Sequence, residues 1–316
     1  MQSFLLIFVD VCLPILALAG IGWGFDRLFN LDLRTLIKLN IYLFVPSFIL
    51  VRLSTSTLEG KLGAQIVTFT LLVIASMGLI SWVVCRIRRE SPAECASMQL
   101  STMIYNSGNW GIPLMTLAFP VMGPVVQVFV LATMNLSSFS LGVFLAGKSR
   151  EDAPSGWRAL LPIFKLPSIY AIIAALAFRT WGNPLDDVIF IWKPINYIAD
   201  GLVAFALITL GVQLSKTQPP RPVGRLAWTL GVRLLGGPVI AIALTWLFGI
   251  TGELAAILIV GAAAPTAVNT ALLAHEFNAD SRFAAATVYY STLMAAVIVA
   301  LLLAILRMGV IPWATF

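Results

Sequence analysis

The amino-acid sequence predicts an all-α polytopic membrane protein with ten transmembrane helices, arranged as an inverted 5+5 repeat in which helices 4 and 9 are broken and cross. Three observations support this fold class. The 316 residues are 59% hydrophobic and only 11% charged, whereas soluble domains carry roughly 25% charged residues. Apolar stretches of about twenty residues, long enough to cross a bilayer, follow one another with short loops between them. Two of these stretches are interrupted by glycine, proline and asparagine.

The individual spans follow from a hydropathy window of about twenty residues. The first apolar run has no basic segment before it and no small-residue cleavage site, so we interpret it as a retained helix rather than a signal peptide. The longest loop, 148–165, is predicted to be a short cytoplasmic linker. The ten predicted spans are 3–25, 35–53, 62–85, 93–119 (broken), 124–147, 166–182, 189–214, 224–249, 253–277 (broken) and 281–307.

The basic residues predict the orientation of these spans. The odd-numbered loops and their flanks hold 14 Lys and Arg, against five on the other side. Under the positive-inside rule the odd loops are cytoplasmic and both termini lie outside the plasma (inner) membrane. The formal net charge of +6 is explained by this topology, and nucleic acid is not an expected partner.

An internal repeat relates the two halves of the chain. Each half would hold five spans, and an odd number makes the second half insert upside down relative to the first. The predicted units are 1–147 and 166–316, joined by the linker 148–165. Three matches fall at an offset of about 153 residues: Pro14 with Pro167, Pro113 with Pro265, and Ser138 with Ser291.

The two broken spans are predicted to form a polar site at the middle of the membrane. Pro113 and Pro265 each suit the first turn of a half-helix, where a missing N–H costs nothing. The half-helices would run from Pro113 to Pro120 and from Pro265 to Phe277. Their N-termini, each with about half a positive charge, suit a carboxylate. The opposing C-termini, near Gly108 and Ala264, would suit a cation or a proton.

Several polar residues near the breaks allow two interpretations. The side chains of Asn106, Asn109 and Asn269 either cap freed backbone groups or contact a substrate, and an amide can do both. Hydroxyl side chains in the fifth and tenth spans either bond carbonyls of their own helix or face the site; these are Ser137, Ser138, Ser291 and Thr292.

Ionisable residues inside the spans are candidates for ion coupling, because charges in a membrane are costly and commonly functional. Asp10 and Asp200 are the intramembrane carboxylates; each also allows a structural role at the surface or in a contact between helices. Arg233 either reaches the cytoplasm or pairs with Asp200 or an anionic ligand. His275 is either interfacial or part of a proton relay.

The motif Asn106-Ser107-Gly108-Asn109-Trp110-Gly111-Ile112-Pro113-Leu114 resembles the N-x4-G-I-P-L signature of the auxin efflux carrier family, which includes plant exporters and bacterial carriers. Pro265 through Asp280 resembles the ninth span of that family. The resemblance implies a fold similar to bile-acid symporters and sodium/proton antiporters. It also implies a scaffold domain (spans 1, 2, 6 and 7), a transport domain (spans 3–5 and 8–10), a homodimer through the scaffold and an elevator-type movement.

The resemblance further implies that the residue matching Asn106 binds a substrate carboxylate. The linker after span 5 is short, unlike that of many plant exporters, which favours a bacterial carrier of malonate, malate or other organic acids. The predicted substrate-binding residues are Asn106, Asn109, Gly111, Pro113, Pro265, Asn269, Ser138 and Ser291, and the candidates for proton or cation coupling are Asp10, Asp200 and His275.

The predicted function is therefore a secondary-active or potential-driven carrier of a small organic anion, auxin-like or a dicarboxylate. The expected partners are this anion, the lipid bilayer and a second copy of the chain. We expect no cofactor, because Cys12, Cys85, Cys95 and the single His275 have no metal-site spacing. Motifs of intramembrane aspartyl and serine proteases are missing, so an enzyme is not predicted. An anion channel and a membrane receptor that binds an organic acid without moving it remain alternatives.

Overall fold

A computed structural model describes residues 2–57, 60–146, 166–217, 224–276 and 279–316. Helix numbers below follow the predicted spans, and a and b mark the two parts of a broken one. In the described residues the chain is helical and forms no strand. The helices are α1 (Leu5–Phe29), α2 (Leu33–Ser54), α3 (Gly60–Arg88), α4a (Pro92–Met103), α4b (Ile112–Ala118), α5 (Gly123–Ala146), α6 (Pro167–Trp181), α7 (Ile189–Lys216), α8 (Gly224–Leu247), α9a (Gly252–Ala262), α9b (Asn269–Glu276) and α10 (Ser281–Arg307).

Six of these helices, α1, α2, α3, α7, α8 and α10, are long and apolar enough to cross a membrane. Much of their apolar surface faces outward: only 33% of the most apolar window of α1 and 44% of that of α7 are buried. Exposed apolar surface of this extent is stable against lipid, not against water. The prediction of a multi-pass membrane protein is confirmed. The count of ten crossings, the inverted repeat and the orientation stay predictions.

Local sequence explains where several helices begin. At the start of α4a, the Ser91 hydroxyl accepts from the backbone N–H of Glu94, and the Glu94 carboxylate accepts from the backbone N–H of Ser91. This reciprocal capping box satisfies two amide groups that the first helical turn leaves unpaired. Asp32 and Asp280 cap α2 and α10 in a simpler way: in each case the aspartate side chain alone accepts from backbone N–H groups of the first turn.

Three long helices contain a π-helical turn, at Phe8–Cys12 in α1, Asn40–Phe44 in α2 and Val232–Gly236 in α8. A π turn widens the helix and redirects the side chains around it, and such turns are frequent at functional sites. Those in α2 and α8 contain Asn40 and Arg233, which are buried polar residues facing the middle of the protein.

Helices α1, α2, α6 and α7 pack together as one group. The most extensive contacts are those of α1 with α7 and of α2 with α6. The backbones of α1 and α7 touch, because a Cβ atom at Gly22 would collide with the Ile208 carbonyl and one at Gly211 with the Ala19 carbonyl. The other helices pack mainly among themselves, with α3 against α4a and α5, α8 against α9a, and α9b against α10.

The predicted linker 148–165 falls outside the described residues, which resume at Leu166. The division of the chain into two repeats and into scaffold and transport domains therefore stays a prediction.

Candidate functional site

The two broken helices cross and are bonded to each other. Their linkers, residues 104–106 and 263–268, are together termed the crossover. Tyr105 and Thr266 pair as an antiparallel bridge. The backbone N–H of Asn106 donates to the Pro265 carbonyl at 2.8 Å, and the backbone N–H of Ala267 donates to the Ile104 carbonyl at 2.9 Å. Each linker thus satisfies backbone groups that the other has freed, which membrane burial demands.

The two prolines mark the breaks only approximately. The fourth helix is interrupted at 104–106, and a π turn at Ser107–Gly111 already continues into α4b. Pro113 is therefore inside a running helix, where a proline in the first turn is tolerated. Pro265 lies within its linker, and α9b begins four residues later at Asn269. The predicted start at Pro113 lies within one residue of the start of α4b at Ile112, whereas the predicted start at Pro265 is wrong, because α9b begins at Asn269.

A cavity of about 160 Å³ lies against the crossover. One wall comes from α2, α6, α7 and the residue before α6. The opposite wall comes from the crossover, the π turn, α5 and the start of α9b. The residues lining the cavity are Ile37, Asn40, Ile41, Val45, Ile104, Tyr105, Asn106, Ser107, Gly108, Asn109, Leu131, Met134, Asn135, Ser138, Leu166, Ser168, Gln213, Ala267, Val268 and Asn269.

The polar groups of this cavity are amides and hydroxyls, and none of the lining side chains is charged. Asn106 is 6% exposed, and its Nδ2 finds no hydrogen-bond partner within the described residues. Its side chain makes no capping hydrogen bond to the turn that follows. Asn40 Nδ2 donates to Asn109 Oδ1 at 2.6 Å, while Asn269 is exposed at the cavity. Amide donors in a neutral cavity suit an anion.

Four of the eight predicted binding residues line the cavity: Asn106, Asn109, Asn269 and Ser138. The other four do not line the cavity and instead support the backbone beside the cavity: Gly111, Pro113, Pro265 and Ser291. Ser291 Oγ accepts from the Thr266 amide at 3.0 Å. A Cβ atom at Gly111 would collide with Gln127 Nε2, and this Nε2 donates to the Ser107 carbonyl at 2.6 Å.

Two of the candidate coupling residues, Asp10 and Asp200, do not line the cavity. Asp10 is exposed on α1. Asp200 is 63% exposed and pairs with Arg52 at 2.9 Å. His275 falls within α9b, and its side chain lies outside the described part of the structure. A proton relay through Asp10 or Asp200 would therefore have to act at a distance.

Arg233 neither reaches the cytoplasm nor pairs with Asp200. It is fully buried, so it does not reach the cytoplasm, and Asp200 pairs with Arg52 instead. Its guanidinium donates to the backbone carbonyls of Thr102 and Ala262. The last turns of α4a and α9a are thus joined by one cation.

The sequence-based prediction missed Asn40, Asn135, Ser168 and Gln213 as lining residues. Asn40 is 69 residues from Asn109 in the chain, and no spacing pattern connects the two. A signal was present, since Asn40 and Gln213 are uncharged polar residues inside predicted spans. In the described residues no group of three His, Cys, Asp or Glu could hold a metal ion.

Comparison with known proteins gives a family match over part of the chain. A family described as "Membrane transport protein" matches residues 156–303. This part of the chain is similar to that transporter family. The match covers most of the second half of the chain, including the linker of residues 263–268 and most of α10. The resemblance to the auxin efflux carrier family that the Gly-Ile-Pro-Leu motif indicated is confirmed.

Three relatives of this membrane transporter match over most of their length. An uncharacterised transporter of Methanothermobacter thermautotrophicus is 24% identical over 84% of this chain and 86% of its own. An uncharacterised transporter of Methanocaldococcus jannaschii is 24% identical over 93% of this chain and 97% of its own. A Rhizobium meliloti protein named "Putative malonate transporter" is also 24% identical, over 95% and 96%. These names indicate a transporter and not an enzyme.

Proposed function

We propose that this membrane transporter is a secondary carrier of a small organic anion, which it binds by a carboxylate beside the crossover. The observation that carries the proposal is the placement of Asn106, Asn109 and Asn269 around one uncharged cavity. The unpartnered Asn106 Nδ2 supplies a donor. A buried donor without a partner is costly, so an acceptor of suitable size is favoured there.

The cavity supports a substrate of modest size. Its volume of about 160 Å³ is below the roughly 300–1,000 Å³ of sites for drug-sized ligands. A second cavity of about 270 Å³, mostly apolar, shares Asn135, Leu166 and Ser168 with the first. A dicarboxylate such as malonate would occupy the polar cavity, whereas an auxin-like acid would extend an apolar body into the second.

An elevator-type movement fits the position of the cavity. One wall comes from α2, α6 and α7, which belong to the predicted scaffold, and the other from the predicted transport domain. Movement of the second group past the first would carry the bound anion across the membrane. Scaffold helices α1 and α7 expose large apolar side chains, and a second copy of the chain pairing through the scaffold is part of this proposal.

A thermal-shift screen of the purified protein identifies the ligand class. Malonate and malate probe the polar cavity alone, and indole-3-acetate and branched-chain oxoacids probe the two cavities together. Acids that raise the Tm are then tested in proteoliposomes for counterflow, which a carrier shows. A receptor would bind without counterflow, and an anion channel would pass a current that does not saturate.

The binding residues are tested by Asn106→Asp and Asn269→Ala. Asn106→Asp keeps the shape of the side chain but presents a carboxylate to the anion. Loss of a hydrogen bond to a charged group costs about 1.5–3 kcal/mol, so the affinity should fall about 10- to 100-fold. Asn196→Ala is the matched control, because Asn196 bonds a carbonyl of its own helix away from the cavity. Wild-type affinity in both site variants would reject the site.

A further inference from the structure

The C-terminal ends of α4a and α9a meet at one buried point of the protein. The last four carbonyls of any helix have no partner within it, and each C-terminus carries about half a negative charge. Here the last turns include Thr102 and Ala262, which are 0% and 2% exposed. Two such ends together amount to about one negative charge that water does not reach.

One side chain satisfies both ends. Arg233 Nη1 donates to the Thr102 carbonyl at 2.6 Å, and Arg233 Nη2 donates to the Ala262 carbonyl. The guanidinium also lies over the Tyr105 ring, 5.0 Å from its centroid. The planar fork of an arginine can address two acceptors at once, and it stays protonated over the physiological pH range.

The local structure makes room for this side chain. Arg233 lies in the π turn of α8, which directs it inward. Directly after this turn, a Cβ atom at Gly237 would collide with the Ala262 carbonyl and lie 2.6 Å from Arg233 Nη2. No carboxylate of the described residues lies within ion-pair distance of Arg233. The helix ends are therefore what balances its charge.

We propose that Arg233 is a built-in countercation of the crossover, occupying the position where a carrier of this architecture could bind an alkali-metal ion. A second cation there would be repelled by the guanidinium and would find the carbonyls of Thr102 and Ala262 already occupied. The carrier consequently has no sodium site at the crossover, and uptake of its anion does not require sodium. The part about uptake rests on the proposed function, whereas the part about charge balance does not.

Thermal stability tests the charge balance without any substrate. The Tm of the wild-type protein in detergent should be the same in sodium, potassium and choline chloride of equal concentration. Arg233→Ala should lower the Tm, and sodium or millimolar guanidinium should raise it again relative to choline. The ammonium of Arg233→Lys keeps the charge but cannot donate to both carbonyls as a guanidinium does. The Tm of this variant should therefore lie between those of the wild type and Arg233→Ala.

Arg88→Ala is the control, because Arg88 pairs with Glu90 at a partly exposed position and its loss should produce no cation-specific recovery. A wild-type Tm that rises in sodium alone would overturn the proposal, as would an Arg233→Ala protein as stable as the wild type. If Arg233→Ala does not fold, the Tm values of the wild type and of Arg233→Lys in the different salts still test the proposal.

Transport gives a separate measurement. Uptake of the acid found in the screen should proceed equally when choline replaces sodium on both sides of the proteoliposome membrane. Uptake that stops without sodium would refute the inference and leave the proposed function standing. If no acid is transported at all, the proposed function fails, and the stability measurements still report on Arg233.

Discussion

At the scale of single residues, the cavity presents amides and hydroxyls and no charged side chain. Asn106 and Asn109 offer donors to an anion, and the Asn40 contact holds Asn109 in place. Neutral donors bind an anion less firmly than a buried arginine would. Moderate binding suits a protein that must release its cargo on the other side of the membrane, because a site that holds too tightly slows release.

Gly111, predicted as a binding residue, acts by leaving space for Gln127. In Gly111→Ala, the new methyl group should displace the Gln127 amide from the Ser107 carbonyl. Overpacking of this kind costs about 1–3 kcal/mol, so the Tm should fall. The control is Gly20→Ala on α1, where nothing lies within 4 Å and alanine favours the helix. Equal Tm values for the two variants would contradict this role.

At the scale of elements, the half-helices are positioned by bonds from neighbouring helices. The Ser291 hydroxyl on α10 holds the Thr266 amide in the crossover, whereas the Ser138 hydroxyl on α5 bonds the Met134 carbonyl of its own helix and lines the cavity. Two serines that the sequence repeat pairs with each other thus serve different purposes, one in stability and one at the site.

This difference predicts opposite effects of two similar substitutions. Ser291→Ala leaves the Thr266 amide buried without its partner, which costs about 1–3 kcal/mol, so the Tm should fall while ligand affinity is kept. Ser138→Ala should keep the Tm and weaken binding. Tm measurements and ligand titrations on both variants check this, and the reverse pattern would show that the roles are exchanged.

The sequence is sufficient to place the helices, because hydropathy over about twenty residues is a direct consequence of membrane thickness. The positions of the breaks are harder to predict. Pro113 and Pro265 point to the right region, but proline is tolerated in a first turn, and the pairing of Tyr105 with Thr266 decides where the helices end. The role of Arg233 depends on carbonyls 131 and 29 residues away, which no local pattern reveals.

At the scale of the whole molecule, the cavity lies between two groups of helices. The Asn40–Asn109 hydrogen bond joins α2 to the π turn before α4b and so connects the groups directly. In the proposed elevator movement this contact must break in every cycle, because one group moves past the other.

A reversible cross-link between these positions should therefore stop transport. The double variant Asn40→Cys/Asn109→Cys, treated with a short bifunctional methanethiosulfonate reagent, should lose the flux that it shows before treatment and return to that level after reduction. The controls are the two single variants treated with the same reagent. They show whether reaction of the native Cys12, Cys85 and Cys95 alone changes the flux. Full flux in a completely cross-linked protein would rule out relative movement of the two groups at this point.

The mutual pairing of the crossover linkers has a consequence for how such proteins diversify. Since Asn106 and Ala267 use their backbone amides to fasten one linker to the other, the architecture does not depend on which side chains project from that junction. Exchanges at the neighbouring amide positions can alter the cargo while the framework persists. Distant descendants of one ancestral carrier could thereby keep this junction and differ in the acids that they move.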